Sequence, residues 1–539
     1  MSSRSRRSSG SSSQSSHSSS YGSLQLSSQS SQHSIPSTYD ITTRVGLYKC
    51  LKSRLVKCDS KDGTKFSHFS FLPLDALNDI VTETTVMSQS PGNSWLFPSI
   101  FGCKCKDISG VVKQAKKVFA ILGFFEKPDL IWALFDEGLR DEHLPLARLN
   151  GDENSQILVS PRGKEFETFS KQESSSGADN FLTFQWRVLA PYFTALGEDV
   201  GVERGHRLNR DNPLPFFDVT KMPAAPGKSL VYRGTLHRAH IAPRSTKDIE
   251  VAIKDYENKD DFEKERANLM RIQKLNHPHL IRHISTIQQG KCYYVIFPWA
   301  NGGNLSDFWN SPRSKDVELL LTWSLEQMLG LAGALSALHH KLDDQHPDGM
   351  NCRHGDLKPE NILYFKKAGR YGTLVVADVG ESKVHIAATY LRHDPTQTRA
   401  TTPCYEAPEA ENNTKRSRKY DMWSLGCIFL EFTIWLLDGH EAIEKFRKQR
   451  RDGDGPSAER AKFYQRNGSD PPIVHPVVTK RLQTLQKDPR CSSELVSLVK
   501  LIAQDLIVVD PSKRAGAEEL RDKLGRIVDQ RKRRGKNPD

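Results

Sequence analysis

The sequence predicts an α+β fold in which a strand-rich half is followed by a helix-rich half, with a smaller helical region before both. Short apolar segments with strand character occur at 229–236, 249–256 and 292–299. Longer segments with helical periodicity follow at 317–340 and 422–437. At 539 residues the chain is too long for one compact domain. We therefore expect a two-lobed main domain and at least one further folded unit.

The first part of the chain is predicted to contain a tail and a small domain. Residues 1–39 are rich in serine and arginine and cannot bury enough apolar surface to offset their chain entropy, so we expect disorder. Apolar residues then follow helical spacing, which predicts a mainly helical domain at 40–150. The polar stretch SKQESSSGAD predicts a loop, and we expect residues 151–212 to form a linker and docking segment. No catalytic constellation occurs here, so we expect interaction or regulation through an unidentified protein partner.

Composition favours some function classes over others. Nine scattered cysteines argue against a disulfide framework and for a reducing compartment, so we expect an intracellular protein of the cytoplasm, the nucleus or both. The net charge of +12 is spread widely, without the basic and aromatic patterns of nucleic-acid modules. The most apolar segment, 422–437, contains Glu431 and is shorter than the ~20 residues of a membrane span. We expect neither nucleic-acid binding nor a membrane span.

Three polar motifs together contain the side chains that phosphoryl transfer requires. VAIK ends at Lys254 on a predicted strand, HGDLKPEN contains Asp356, Lys358 and Asn361, and ADVG places Asp378 after an apolar strand. Phosphoryl transfer needs a cation at the α- and β-phosphates, oxygen ligands for Mg²⁺, and a carboxylate near the substrate hydroxyl. A lone strand lysine or a polar turn is usually only solvated, so the prediction depends on the order of all three motifs.

Over 213–525, somewhat more than half of the chain, these motifs resemble those of the eukaryotic-type protein kinase family. The resemblance implies a bilobal protein-kinase-like fold with a β-rich N-lobe and an α-helical C-lobe. It also implies ATP and Mg²⁺ as cofactors and transfer of the γ-phosphate to a hydroxyl of a protein substrate. The remaining residues, 526–539, are expected to form a basic C-terminal tail.

The resemblance also implies a role for each polar side chain of the motifs. Asp356 is the expected catalytic base, and Lys358 is expected to neutralise the γ-phosphate. Lys254 is expected to hold the α- and β-phosphates, and Asn361 and Asp378 are the expected Mg²⁺ ligands.

The expected partner of Lys254 is a glutamate on the helix that follows it. Glu265, in an FxxExxxL pattern, is predicted to be this glutamate. Family spacing counted back from Pro278 points to Asn268 instead. A slightly longer helix would account for the difference.

The family's glycine-rich loop is poorly matched by PAAPGKSLVYRG. With Val231 aligned, the expected glycine positions hold Ala224, Pro226 and Ser229, and Gly227 is displaced by one residue. Glycines let backbone amides approach phosphate closely, and proline has no amide hydrogen. We therefore expect weaker or unusual phosphate binding by this loop.

The segment IFPWANGGNL matches the family's strand and hinge beside adenine. Phe297 is the expected gatekeeper, and the Pro298 carbonyl and Ala300 amide are expected to face adenine. The predicted nucleotide-binding residues are Lys254, Gly227, Val231, Ala252, Phe297, Pro298, Ala300, Asn361 and Asp378.

Three later motifs indicate a protein substrate. TTPCYEAPE resembles the family's platform for peptides and contains Glu409, whose expected partner is Arg514 in DPSKRAG. DMWSLG resembles the central helix, whose Asp421 is expected to hold the catalytic loop. LKPEN with Lys358 resembles the serine/threonine branch rather than the tyrosine branch.

One position departs from the catalytic-loop pattern, since Gly355 follows the histidine where arginine is commoner (a non-RD loop). His-Gly-Asp also occurs in small-molecule kinases, but these generally lack the equivalent of Lys358 and the peptide platform. A pseudokinase scaffold, signalling through the N-terminal domain, is the alternative favoured by the poor glycine loop and by Val379. We favour an active serine/threonine kinase that does not depend on activation-segment phosphorylation, because the missing arginine normally pairs with that phosphate. The domain order resembles that of uncharacterised filamentous-fungal kinases.

Overall fold

The structure is a computed structural model, and it describes most of the chain from residue 39 onward. Of the predicted tail, only Tyr39 is among the described residues. The described residues are 39–58, 66, 69–89, 107–171, 176–194, 205–223, 230–242, 245–314, 316–340, 351–378, 383–385, 403–411, 417–451, 461–466 and 470–536.

We call the described residues between 39 and 194 the N-terminal module. Its central helix, α5 (Lys116–Gly123), is buried along most of its length. This helix starts where the Asp141 carboxylate accepts the backbone N–H groups of Lys117 and Val118, at 3.0 and 3.1 Å. The other helices are α1 (Arg44–Ser53), α2 (Leu74–Ile80), α3 (Glu83–Ser88), α4 (Ile108–Gln114), α6 (Ile131–Asp136) and α7 (Ser176–Phe184). The strands are β1 (Val56–Lys57), β2 (Ser70–Phe71), β3 (Ala147–Arg148), β4 (Leu158–Val159), β5 (Glu165–Phe166) and β6 (Phe193–Thr194).

One hydrophobic core runs through the module and continues past residue 150, the predicted end of the helical domain. It includes Leu158, Phe166 and Phe181 together with the buried side chains of α1, α2 and α5. Helix α7 begins at Ser176, inside the stretch predicted as a loop. The polar residues before α7 obscured the sequence pattern of this short amphipathic helix. Its Ala178 and Phe181 are fully buried.

The strand-rich half forms a six-stranded sheet, which we call the N-lobe sheet. Its strands are β7 (Gly205–Leu208), β8 (Phe216–Lys221), β9 (Leu230–Leu236), β11 (Ile249–Tyr256), β12 (Ser285–Gln289) and β13 (Cys292–Pro298). Their order is β7-β12-β13-β11-β9-β8, and only the β7–β12 pair is parallel. Helix α8 (Lys259–Lys274) follows β11 and starts where the Asn258 side chain accepts the Asp261 N–H.

The helix-rich half forms a second lobe around helix α11 (Lys419–Asp438), which is buried on nearly every side. By length and composition α11 is apolar enough for a membrane span, but 94% of that apolar stretch is buried inside the fold. The other helices are α9 (Leu305–Asn310), α10 (Val317–His340), α12 (His440–Gln449), α13 (Pro476–Gln486), α14 (Ser493–Leu501) and α15 (Ala517–Lys536). The strand pairs are β14 (Asn351–Arg353) with β17 (Lys383–His385), β15 (Ile362–Lys367) with β16 (Arg370–Val376), and β18 (Tyr464–Gln465) with β19 (Ile473–Val474). The predicted α+β fold with two lobes is confirmed.

Helix α15 continues through most of the segment predicted as a basic tail. Ile527 and Val528 are buried against the lobe. Several basic residues of this helix form ion pairs: Arg531 with Glu318, Lys532 with Glu326 and Arg534 with Glu494. Part of the positive charge at this end of the chain therefore joins α15 to α10 and α14.

Candidate active site

Lys254 lies on β11 and contacts two carboxylates that come from different parts of the chain. Its Nζ is 2.9 Å from Asp378 Oδ1 and 3.8 Å from Glu265 Oε1. Glu265, and not Asn268, is therefore the residue of α8 that pairs with Lys254. Burial alone would lower the pKa of Lys254, but the carboxylates of Asp378 and Glu265 hold this pKa well above its usual value. The ammonium group stays charged at neutral pH.

Asp356, Lys358 and Asn361 come together in the loop between β14 and β15. Lys358 Nζ donates to Asp356 Oδ2 at 2.6 Å, and Asn361 Nδ2 donates to the Asp356 carbonyl at 2.8 Å and to Oδ2 at 3.2 Å. Lys358 and Asn361 are buried, whereas Asp356 is partly exposed. The two donors fix the orientation of an accessible carboxylate, and Asn361 keeps its amide oxygen available to a further ligand.

The loop that contains Asp356 is held in place by Asp421 of α11. Its Oδ1 accepts the Gly355 N–H at 2.9 Å, and its Oδ2 accepts the His354 N–H at 2.8 Å and His339 Nε2–H at 2.9 Å. Burial would raise the pKa of Asp421, but the His339 hydrogen bond, the neighbouring histidines and the Gly355 N–H hold it below the usual value. The predicted contact between Asp421 and the loop backbone is confirmed.

Two residues of this region have left-handed backbone conformations. Gly355 has a φ of 84° and Asp378 a φ of 58°. Glycine adopts such a φ without steric cost, and aspartate is among the few other residues that tolerate it. The His354 ring donates to the Ala377 carbonyl at 2.8 Å, so the loop is bonded to the residue before Asp378.

Four of the predicted nucleotide-binding residues share one face of the N-lobe sheet. In the antiparallel registers Val231 lies opposite Lys254, and Phe297 lies opposite Ala252. Opposed residues project to the same side, as do residues two apart on one strand. All four are half-buried, as the lining of an open cleft should be.

The hinge segment follows β13 directly. The Trp299 N–H donates to the Glu250 carbonyl at 3.0 Å, which continues the sheet by one residue. The Ala300 N–H makes no hydrogen bond within the described residues, which leaves it available to a ligand. Pro298 is half-buried at the end of β13. Gly227 and Pro226 of the poorly matched loop lie outside the described residues, as does Val379.

The predicted ion pair of the peptide platform is present. Arg514 Nη1 is 2.9 Å from Glu409 Oε1, and Nη2 is 3.1 Å from Oε2. The Arg514 side chain is fully buried, and this two-pronged geometry matches the fork of the guanidinium group. The pair joins the platform to the segment before α15.

A second buried ion pair beneath the platform was not predicted. Arg450 Nη2 lies 3.0 Å from Glu431 Oε1, with both side chains fully buried. Tyr405 of the platform donates its hydroxyl to Glu431 Oε2 at 2.7 Å. The signal in the sequence was Glu431 itself, because a carboxylate inside an apolar helix requires a buried partner.

Tyr256 is a further residue of the site that sequence reasoning missed. It lies two residues after Lys254 and therefore on the same side of β11, and the Lys254 Nζ is 5.3 Å from its ring centroid. Burial raises the pKa of Tyr256, and the adjacent Lys254 charge opposes that rise. A buried hydroxyl thus borders the Lys254 ammonium.

The comparisons with known proteins concern the part of the chain that holds this site. Residues 233–523, just over half of the chain, match the family model described as "Protein kinase domain". Mitogen-activated protein kinase kinase kinase 13-B of Xenopus laevis is 26% identical over 265 residues, which are 49% of this chain and 24% of that protein. Serine/threonine-protein kinase ATG1a of Arabidopsis thaliana is 28% identical over 218 residues, 39% of this chain and 32% of that protein. The matched region therefore spans about a quarter of the first relative and about a third of the second.

Proposed function

Because the chain belongs to the protein kinase family, we propose that it is an active serine/threonine kinase that transfers the γ-phosphate of Mg·ATP to a protein hydroxyl. The observation that carries this proposal is the convergence of Lys254, Glu265 and Asp378 with a catalytic loop that holds Asp356. These residues come from four separate segments of the chain. The names of relatives such as serine/threonine-protein kinase ATG1a support the serine/threonine class.

Each of these side chains has a defined task in the proposed reaction. Asp356 accepts the proton of the substrate hydroxyl, and the donors Lys358 and Asn361 keep its carboxylate oriented. Lys254 binds the α- and β-phosphates. When the Lys254 ammonium group moves from Asp378 to the phosphates, Glu265 holds it in place. Positioning of this kind, with electrostatic stabilisation, supplies most of the catalysis in phosphoryl transfer.

The donor atoms present fit Mg²⁺, which takes oxygen ligands and is usually held by one or two carboxylates together with substrate phosphates. Asp378 offers a carboxylate that is 40% exposed, and Asn361 has its amide oxygen directed away from Asp356. These two residues would hold the ion. Mg²⁺ when bound neutralises the charge that develops on the phosphates.

We further propose that phosphorylation of the activation segment is not required. Gly355 provides no cation to pair with a phosphate on that segment. The backbone of β17, early in the segment, instead pairs antiparallel with β14, the strand that leads into the catalytic loop. Main-chain hydrogen bonds thereby order this part of the segment without a charged modification. The activation segment is expected to run from Glu381 to Thr402, and its candidate phosphorylation sites Thr396 and Thr398 lie outside the described residues.

A protein substrate is favoured over a small molecule by the platform. Glu409, Arg514, Glu431 and Arg450 are all engaged in holding it. Loss of one partner of either pair would leave an uncompensated buried charge, so the two pairs keep in place a platform that resembles the one the family uses for peptides.

The proposal is tested by phosphate transfer from Mg·ATP to a generic basic protein. Asp356→Asn should lower the rate about 10²–10⁴-fold, the usual contribution of a general base. Asp522→Asn, the same change at an exposed position of α15, should leave the rate unaltered. Wild-type activity that does not exceed the Asp356→Asn level would overturn the proposal and favour a pseudokinase scaffold, which the substituted glycine loop makes the second candidate.

Dependence on phosphorylation is tested separately on the same assay. Phosphatase-treated wild type and the Thr396→Ala/Thr398→Ala variant should retain the activity of the untreated enzyme, because no arginine follows His354. Loss of activity in either sample would show that the segment needs phosphate after all.

A further inference from the structure

Antiparallel sheets commonly pack one face on a core and expose the other face to water. The N-lobe sheet differs, because it has apolar side chains on both faces. Along β11 and β13, Val295 packs on the side of α8, in the same core as Phe262 and Leu269. Ile253 and Ile296 project to the other side, which we call the outer face. The outer face comprises Val219, Tyr232, Val251, Ile253, Tyr294 and Ile296. A surface of this composition must be covered to be stable.

The N-terminal module covers the outer face with Phe66, which lies in the connection between β1 and β2. The Phe66 side chain is 3% exposed. Its ring centroid is 5.2 Å from that of Tyr232, with an edge-to-face angle of 78°, and 5.5 Å from that of Tyr294. These separations are typical of stabilising aromatic pairs.

Phe66 is placed directly behind Lys254. Tyr232 on β9 is the partner of Ile253, and Tyr294 on β13 is the partner of Asp255. Ile253 and Asp255 are the two neighbours of Lys254 on β11. The ring of Phe66 therefore bridges the strands on either side of β11 at the level of Lys254, on the opposite side of the sheet from the nucleotide cleft.

Further contacts join the module to the same lobe. Strand β10 (Ile241–Ala242) pairs in parallel with β6, so that Ile241 is the partner of Phe193. Phe71 contacts the rings of His237 and His240, with the His240 centroid 5.2 Å away. Asp75 Oδ2 lies 3.5 Å from Arg238 Nη2. The contact thus combines strand pairing, aromatic packing and an ion pair, which is more than a flexible tether would provide.

We propose that the N-terminal module is an internal clamp on the N-lobe, in which Phe66 fixes the strand that carries Lys254. The partner of the module is thereby the kinase lobe of the same chain. Lys254 must keep its ammonium within reach of Glu265 and of the phosphates, so a shift of β11 by a fraction of an ångström matters for transfer. The effect on phosphate transfer rests on the proposed function, whereas the effect on the strand does not.

The test uses three variants of the full chain and two measurements. Phe66→Ala removes the ring, and Phe66→Leu keeps an apolar side chain but loses the aromatic contacts to both tyrosines. Phe125→Ala is the matched control, because Phe125 is half-buried and stacks on Phe184 within the module. Hydrogen exchange of residues 249–256 and of α5 is measured by mass spectrometry, and phosphate transfer is measured against Asp356→Asn.

We expect Phe66→Ala to raise amide exchange in 249–256 at least about tenfold, with α5 protected as in the wild type. Phe66→Leu should fold and give an intermediate exchange rate. In the transfer assay Phe66→Ala should raise KM for ATP and lower kcat/KM about ten- to hundredfold, because Lys254 is misplaced. Phe125→Ala should change neither the amide exchange of 249–256 nor the kinetics of phosphate transfer.

Exchange in 249–256 that is equal in the Phe66 variants and in Phe125→Ala would overturn the clamp. A wild type no more active than Asp356→Asn would instead overturn the proposed function, and the exchange data would still decide the clamp. Faster exchange with an unaltered KM and kcat would limit Phe66 to a structural contact and contradict its role in positioning Lys254.

Discussion

At the residue scale, Gly355 has two consequences of which only one was visible in the sequence. The missing side chain removes a cation beside Asp356, which can be read from the motif. The φ of 84° cannot be read from the motif. This backbone conformation is accompanied by a hydrogen bond from the Gly355 N–H to Asp421, 66 residues away. A larger residue at this position would have to adopt a backbone conformation that costs on the order of 1–3 kcal/mol.

Replacement of Gly355 by alanine should therefore lower the free energy of unfolding by about 1–2 kcal/mol. Gly525, within helix α15, provides the matched control, since its φ is not positive and a Cβ there meets nothing within 4 Å. Gly525→Ala should raise the free energy of unfolding by about 0.5–1 kcal/mol through helix propensity. Urea denaturation of both variants measures the two values. If Gly355→Ala and Gly525→Ala changed the free energy of unfolding in the same direction, the backbone of Gly355 would not be under conformational constraint.

At the element scale, the Glu431–Arg450 pair connects α11 to the end of α12. The guanidinium group of Arg450 also lies over the rings of Phe446 and Phe463, at 4.1 and 3.8 Å from their centroids. Tyr405 closes the cluster from the platform side. Burial raises the pKa of the adjacent Cys404 to about 11, so this thiol stays protonated at neutral pH and behaves as a packing group.

Arg450→Met should lower the free energy of unfolding by about 3–5 kcal/mol, because it leaves the Glu431 carboxylate buried without its cation. Arg451→Met, one residue later and exposed, should stay within about 0.5 kcal/mol of the wild type. The Glu431→Gln/Arg450→Met double variant should cost less than the sum of the single variants, since the two side chains compensate each other. Urea denaturation again provides the measurement. Equal values for Arg450→Met and Arg451→Met would contradict a structural role for the pair.

Elements with strong periodicity could be predicted, and those that depend on tertiary packing could not. The long apolar helices α10 and α11 lie where the sequence pattern places them. The start of α7 was missed because serine and glycine suppress the helical signal, and the burial of Phe181 outweighs that preference. The last turns of α15 were missed because a run of basic residues is usually solvated. In the structure these residues instead form ion pairs with acidic residues of α10 and α14.

At the scale of the whole molecule, the clustering of polar side chains at the candidate site could be predicted and the position of the module could not. Asp356, Lys358 and Asn361 lie within six residues of one another, so their arrangement is set by a local motif. Lys254, Glu265 and Asp378 are distant in sequence, and only the family resemblance joined them. Phe66 belongs to no motif, and nothing in its neighbourhood distinguishes it from any other loop aromatic. Its importance arises from a surface that is built by residues more than 150 positions later.

The family match begins at residue 233, inside β9, yet the N-lobe sheet has outermost strands that precede it. A fragment cut at the family boundary would lose β7 and β8 and leave β12 and β9 as bare edges with unpaired N–H and C=O groups. It would also lose Phe66 and Phe193, so the apolar outer face would meet water. Open strand edges next to an apolar surface are templates for intermolecular pairing. For this protein, the smallest fragment that keeps both sheet edges paired and the outer face covered is accordingly larger than the region that family similarity marks out.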